Sequence, residues 1–166
     1  QGAASAQGPS PYAIDIPPWF TESFLAFRDD VREATRDHRR LMVYFGQDGC
    51  PYCRKLMITN FSQRTIVEKT RRYFVAIALN IWGSREVTWL DGRVLPEKEL
   101  AVLLDVQFTP TLLFFDEQGA VVARINGYYP PHQFEPVLDY AAGKAWPGET
   151  LAAYLKRVGK APASAR

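Results

Sequence analysis

Residues 41–53 read LMVYFGQDGCPYC and contain the only two cysteines of the chain. The continuous apolar run at 41–45 is typical of a short buried strand, and the glycine-bounded turn at 46–49 ends it. Pro51 suits the first turn of a helix, because its missing N–H would have no partner there. The sequence therefore predicts a strand, a tight turn and then a helix whose N-terminus carries Cys50 and Cys53.

The spacing of the two cysteines favours reversible redox chemistry. Residues three apart in a helix share a face, so Cys50 and Cys53 can form a disulfide with little backbone movement. A helix N-terminus favours the thiolate, which is the reactive form of cysteine. Cys50 lies where that field acts and is the predicted attacking thiol. Cys53 lies one turn deeper and is the predicted resolving thiol, which attacks a mixed disulfide between Cys50 and a substrate.

Two alternatives for the pair remain at this point. A CxxC pair supplies half of a zinc site, but zinc wants four ligands, and the only histidines, His38 and His132, are distant in sequence. An inert pair of core cysteines is the other alternative, although an exposed Gly-Cys-Pro turn is an unusual place to bury them. We expect no metal and no cofactor, and we expect both histidines to be surface residues.

The composition is that of one globular domain. The 166 residues are 47% hydrophobic and 23% charged, which argues against a disordered or fibrous chain. Lys and Arg number 20 against 18 Asp and Glu, so there is no basic excess for nucleic acid. No apolar run approaches the roughly 18 to 20 residues that span a bilayer. The small, polar stretch at 1–10 resembles the end left by signal-peptide removal, so we expect an exported, periplasmic protein.

The rest of the chain alternates helical and strand patterns. Apolar residues recur every three or four positions from Phe20 to Ala34, which predicts a first helix over about residues 18–37. An Asp91–Gly92 pair flanked by apolar residues predicts a small hairpin or ordered loop over 87–95, inserted before the next helix. The other predicted elements are helices at 62–72, 96–104, 132–142 and 151–158 (the last after a turn at 146–148), a strand at 74–81, and a hairpin of strands 111–116 and 120–125. We expect a flexible segment at 1–17, a single domain at 18–160 and a tail at 161–166.

Over residues 40–142 these segments resemble the thioredoxin superfamily. The matching segments are LMVYF, GQDGCPYC, FVAIALNI, DVQFTPTLLFFDEQG and RINGYYPPHQFEPVLDY. A Thr-Pro pair ahead of the central hairpin strand makes the match more specific than the cysteine motif alone. The resemblance implies an α/β, thioredoxin-like fold with a central mixed β-sheet flanked by helices, an insertion before the third core helix and an extra C-terminal helix. Within the superfamily the chain resembles the exported SoxW-like thioredoxins of bacterial sulfur-oxidation systems, which share the GYY segment and the insertion.

The resemblance also implies a substrate-binding surface. In that superfamily the proline of the Thr-Pro pair has a cis peptide bond and lies against the cysteines, so Thr109–Pro110 would form the substrate-binding edge. Beside the catalytic Cys50 and Cys53, the residues implied to contact substrate are Gly49, Pro51, Tyr52, Phe108, Thr109, Pro110 and Gly127.

The sequence departs from the superfamily at two positions. Thioredoxins carry a buried Asp six residues before the first cysteine, where this chain has Tyr44, and a Lys on the next strand, where it has Ala78. The usual proton acceptor for the deeper thiol is therefore missing, and Asp48 or water could substitute for it. The Pro-Tyr dipeptide between the cysteines is the glutaredoxin pairing, but the long N-terminal helix and the insertion do not support a glutathione site.

These observations predict a thiol–disulfide oxidoreductase that reduces disulfides of periplasmic protein partners. We expect it to be a monomer that receives electrons from a membrane electron-donor protein and binds no nucleic acid. Within the enzyme class, a disulfide-forming oxidant or a cytochrome c maturation factor is the alternative. In a different class, a binding module with this fold and no catalysis remains, although the intact cysteine pair argues against it.

Overall fold

The computed structural model describes residues 13–144 and 148–160, and it alternates helices with strands. The helices are α1 (Phe27–Arg36), α2 (Pro51–Lys55), α3 (Arg64–Tyr73), α4 (Glu97–Leu103), α5 (Pro131–Asp139) and α6 (Leu151–Arg157), and π-helical turns continue α2 (Leu56–Asn60) and α5 (Tyr140–Lys144). The strands are β1 (Arg40–Gly46), β2 (Phe74–Asn80), β3 (Glu86–Thr88), β4 (Val94–Pro96), β5 (Thr111–Phe115) and β6 (Val121–Asn126). Within the described ranges, no helix is long and apolar enough to cross a bilayer.

The central sheet is mixed, which confirms the predicted α/β fold class. Its strand order is β2-β1-β5-β6. β1 pairs with β2 in parallel, whereas β5 pairs antiparallel with both β1 and β6. The strand that leads to the cysteines therefore lies inside the sheet, and its end opens beside the start of β5.

Both faces of β1 are buried, which explains its unbroken apolar sequence. Met42 and Tyr44 point into one core, with α3, α5 and α6. Leu41, Val43 and Phe45 point into the other, with α1, α4 and the insertion. Successive side chains of a strand face opposite ways, so each core receives alternate residues of the same run.

The predicted first helix over 18–37 is wrong over residues 18–26, nearly half of its length, because α1 begins only at Phe27. Phe20 is buried beside Tyr44, and Thr21 N donates to Ala76 O at 2.8 Å, so this segment is coil that is bonded to β2. Leu25 has φ 61°, which no helix accommodates, and Phe24 is fully exposed. The apolar residues before Phe27 are spaced three and four apart as in a helix, but they lie in coil.

The insertion forms the predicted hairpin, since β3 and β4 pair antiparallel. Its turn uses Gly92 at φ 91°, where a side chain would be strained. Trp89 packs against Phe27 and Phe115 at ring distances of 5.1 and 5.8 Å. The hairpin is thereby joined to α1 and to the central sheet.

The expected termini fall largely outside the described residues. The predicted flexible segment is described only from residue 13, and there Ile14 packs against the core. The predicted tail at 161–166 and positions 146 and 147 of the predicted turn are outside the described ranges. The additional C-terminal helix is present as α6, and Leu155 is its buried residue.

Candidate functional site

The two cysteines lie at the N-terminus of α2 and form a disulfide. Cys50 is the N-cap residue, and its Sγ accepts a hydrogen bond from Cys53 N at 3.1 Å. Pro51 occupies the first turn, as its lack of an N–H favours. Cys50 is 8% exposed and Cys53 is 0% exposed. Only one of the two sulfur-bearing residues therefore reaches the surface, and it is the one at the helix tip.

Two glycines shape the loop that carries Cys50. Gly49 is exposed and has φ 75°, a left-handed conformation that glycine adopts without strain. Gly46 is buried, and a Cβ there would collide with the Tyr44 ring and hydroxyl. These positions let β1 end abruptly and let the chain turn into α2.

The structure brings Thr109 to the cysteine pair, and the adjoining Pro110 is bonded to Gly127. The Thr109–Pro110 peptide bond is cis, as the resemblance implies. Thr109 Oγ1 lies 3.2 Å and its carbonyl oxygen 3.4 Å from Cys50 Sγ. Pro110 is buried, and its carbonyl oxygen accepts from Gly127 N at 2.7 Å. The end of β6 thus supports the edge that faces the disulfide.

Exposed aromatic side chains flank this edge. Tyr52 is 57% exposed and Phe108 is 61% exposed. Tyr52 stacks on Tyr128, with ring centroids 6.1 Å apart and planes tilted by 18°. Buried Asn60 holds Tyr128, whose hydroxyl donates to Asn60 Oδ1 at 2.8 Å. The site therefore presents apolar surface on elements fixed by the core.

Sequence reasoning missed Gln47, which the structure places against Thr109, and Trp82, which it places against Gln47. Gln47 Nε2 donates to Thr109 Oγ1 at 2.9 Å, and Trp82 Nε1 donates to Gln47 Oε1 at 2.8 Å. In the structure the insertion extends over residues 81–96, from the end of β2 to the end of β4. Trp82 lies at its start and is 70% exposed. No motif marks either position, and only a contact between distant segments reveals them.

Tyr44 and Ala78, which replace the usual acid–base pair, lie opposite each other in the β1–β2 register. Tyr44 is buried, and within the described part of the chain its hydroxyl has no hydrogen-bond partner. Burial, reinforced by the charge of Asp48, raises the pKa of Tyr44 well above its ordinary value. The phenol is therefore neutral at physiological pH and cannot act there as an anionic base. Asp48 itself is exposed, unlike the acid that it was considered to replace.

We expect Tyr44→Phe to raise the free energy of unfolding by about 1 kcal/mol, because it removes a buried hydroxyl without a protein partner. The ring, which packs edge-on against Phe20, is retained. Urea denaturation monitored by circular dichroism measures the change. A lower stability together with slower release of substrate would instead show that the hydroxyl takes part in exchange.

The structure gives no support to a zinc site in the residues that it describes. Within ranges 13–144 and 148–160, no three His, Cys, Asp or Glu side chains are grouped as metal ligands. His38 and His132 are both exposed, as expected.

Comparison with known proteins gives a family and several similar structures. The thioredoxin-like domain model matches residues 27–142. A thioredoxin-fold protein from Helicobacter pylori is 24% identical, with a TM-score of 0.60 over 82% of this chain and 92% of that one. A thioredoxin from Thermus thermophilus is 25% identical, with a TM-score of 0.55 over 72% and 85%. The oxidoreductase DsbH is 15% identical, with a TM-score of 0.52 over 86% and 99%. No curated protein matches the sequence.

Proposed function

The chain belongs to the thioredoxin-like domain family, and from that premise we propose that it is a thiol–disulfide oxidoreductase acting on protein substrates. The observation that carries the proposal is the asymmetry of the cysteine pair. Cys50 caps a helix and reaches the surface, whereas Cys53 is bonded to it and fully buried. This asymmetry suits two-step exchange, in which the cysteine nearer the surface meets the substrate and the deeper cysteine releases it.

The exchange proceeds through a mixed disulfide. In the reduced protein the Cys50 thiolate attacks one sulfur of a substrate disulfide, and the other substrate sulfur leaves as a thiolate. The deprotonated Cys53 thiolate then attacks Cys50 Sγ, and the second substrate sulfur leaves. The substrate gains two electrons and, after protonation, two protons, and the protein ends with the Cys50–Cys53 disulfide. A dithiol or an electron-donor protein must then return two electrons.

The substrate edge is proposed to be the surface around Thr109. Gly49, Pro51 and Tyr52 adjoin Cys50 along the loop and α2. Phe108 and Pro110 adjoin Thr109 just before β5, and Gly127, just after β6, is bonded to Pro110. The contact of 3.4 Å between Thr109 O and Cys50 Sγ places backbone atoms beside the reacting sulfur. Backbone pairing with an extended substrate would be tolerant of its sequence, and the exposed aromatic rings add apolar contact.

The test is the reduction of insulin by the protein in the presence of dithiothreitol, followed by turbidity. An oxidoreductase accelerates precipitation well above the dithiothreitol background. A binding module without catalysis leaves the background rate unchanged, and that result would overturn the proposal.

For direction, we propose a reductant and expect a reduction potential in the lower half of the range from about −270 to about −120 mV that this class of proteins covers. Tyr52 supplies no positive charge between the cysteines. The reduced form therefore lacks a cation that would stabilise the Cys50 thiolate, as one does in the strongest oxidants. Equilibration with glutathione buffers measures the potential. A value near −120 mV would favour the alternative, a disulfide-forming oxidant, and a cytochrome c maturation factor would instead reduce a haem-binding CxxCH peptide selectively.

Location and partners are further parts of the proposal. The SoxW-like resemblance supports a periplasmic monomer that receives electrons from a membrane protein and serves a sulfur-oxidation system. Cell fractionation tests the compartment. Trapping of partners with the Cys53→Ser variant in periplasmic extracts tests the substrates, and recovery of cytoplasmic proteins alone from whole cells would contradict this placement.

A further inference from the structure

A chain of hydrogen bonds runs from the insertion to the sulfur of Cys50. Trp82 Nε1 donates to Gln47 Oε1 at 2.8 Å, Gln47 Nε2 donates to Thr109 Oγ1 at 2.9 Å, and Thr109 Oγ1 donates to Cys50 Sγ at 3.2 Å. Its members come from the insertion, the loop after β1 and the segment before β5. Three segments that are distant in sequence therefore meet at the reacting atom.

The chemistry of the groups fixes the direction of this chain. An indole N–H can only donate, so Trp82 must face the oxygen of the Gln47 amide. That places the amide N–H₂ against Thr109 Oγ1, which accepts. The hydroxyl proton of Thr109 is then free to point elsewhere, and Cys50 Sγ lies within its reach.

The start of the insertion is held firmly enough to keep Trp82 in place although its ring is exposed. Ile81 N donates to Gly46 O at 2.9 Å, which ties the insertion to the end of β1. Trp82 N donates to Asn80 Oδ1 at 2.9 Å. The backbone N–H groups of residues 81 and 82 are thus bonded to the last residues of β1 and β2.

We propose that Trp82 and Gln47 are positioning residues, which aim the Thr109 hydroxyl proton at Cys50 Sγ and so stabilise its thiolate. This inference rests on the proposed role of Cys50 as the attacking thiol. A thiolate accepts a hydrogen bond more strongly than a thiol or a disulfide sulfur, because the bond is then charge-assisted. The chain therefore favours the reactive form, and the insertion acts on the chemistry without touching the substrate.

Other ionisable groups lie on the elements around Cys50 and are common to all variants of the test. They are Tyr44 of β1, Asp48 of the loop, Tyr52, Arg54 and Lys55 of α2, and Tyr128 after β6. Lys55 Nζ lies over the Tyr128 ring at 5.1 Å from its centroid. Because these groups are unchanged, a difference between variants reports on the hydrogen-bond chain.

The test is the pH midpoint of iodoacetamide alkylation of Cys50 in the reduced full chain, with the label assigned by mass spectrometry. Gln47→Met is uncharged and similar in length but can neither accept from Trp82 nor donate to Thr109, and it should raise the midpoint by about half a pH unit. Trp82→Phe keeps a ring but removes the N–H, and we expect a smaller rise. Val94→Ala, an exposed position on the same insertion, is the matched control and should leave the midpoint unchanged.

A double variant tests the route. Thr109→Val removes the hydroxyl and should raise the midpoint of alkylation. The double variant Thr109→Val, Trp82→Phe should have the same midpoint as Thr109→Val. Additive shifts would overturn transmission through Thr109. A purely structural role for Trp82 would lower the melting temperature without moving the midpoint, and that result would also overturn the inference. Failure of the proposed function is separate, because it would show as wild-type protein that alkylates normally but does not reduce insulin.

Discussion

Cys50→Ser is expected to abolish insulin reduction, whereas Cys53→Ser should still attack substrate and then accumulate as a stable mixed disulfide. The reason is positional. Cys50 is the N-cap of α2 and the more exposed of the two, so its loss removes the sulfur that a substrate reaches. Cys53 is fully buried and bonded to Cys50, so its loss removes only the sulfur that releases substrate. Non-reducing gel electrophoresis and mass spectrometry measure the trapped adduct.

The control for this pair of variants is their folded state. Both substitutions remove the disulfide, and circular dichroism should show a folded protein in each case, whereas trapping should differ. Equal trapping by the two variants would contradict the assigned roles. Trapping by Cys50→Ser alone would reverse them.

The parts of the site that could be predicted are those that depend only on residues close together in the sequence. Five apolar residues in sequence, a glycine turn and a proline are enough to place Cys50 at a helix tip, because each of these signals acts over a few residues. The Thr109–Pro110 pair was placed by resemblance to a family, not by any property of its spacing. The structure brings it within 3.4 Å of Cys50 Sγ across 59 residues of sequence.

The parts that could not be predicted depend on contacts between distant segments. Phe20 and Phe27 have helical spacing, yet the backbone between them turns through a left-handed Leu25. Packing of Phe20 in the core decided that conformation, and a periodicity argument does not include packing. Trp82 likewise has no sequence signal for its role, because its partner Gln47 lies 35 residues earlier in the chain.

Glu97 is the buried charge that holds the insertion, and Glu97→Gln is expected to lower the free energy of unfolding by about 2 kcal/mol. Its carboxylate is 2% exposed and accepts from Asn80 N at 2.9 Å, from Arg85 N at 3.2 Å and from two nitrogens of the Arg85 guanidinium at 3.1 and 2.8 Å. A glutamine offers one acceptor oxygen and directs an N–H₂ at these donors. The Arg85 side chain is 58% exposed, so water can solvate its charge and keep the loss below that of a fully buried pair.

The pH dependence distinguishes this charge from simple packing. Burial tends to raise the pKa of Glu97, but the hydrogen bonds from Arg85 and Asn80, together with the Arg85 charge, outweigh it and lower the pKa below the ordinary 4.5. A lowered folded-state pKa means that the stabilisation is complete above pH 4.5 and is lost as the pH falls through the folded value. The difference in the free energy of unfolding between wild type and Glu97→Gln, measured by urea denaturation, should therefore be constant near neutrality and shrink in acid.

Glu68→Gln, at an exposed pair with Arg64, is the matched control and should change the free energy of unfolding by less than about 0.5 kcal/mol. A difference that stays constant down to pH 2.5, or a Glu97→Gln protein as stable as wild type, would show that the ionised carboxylate does not secure the insertion to β2.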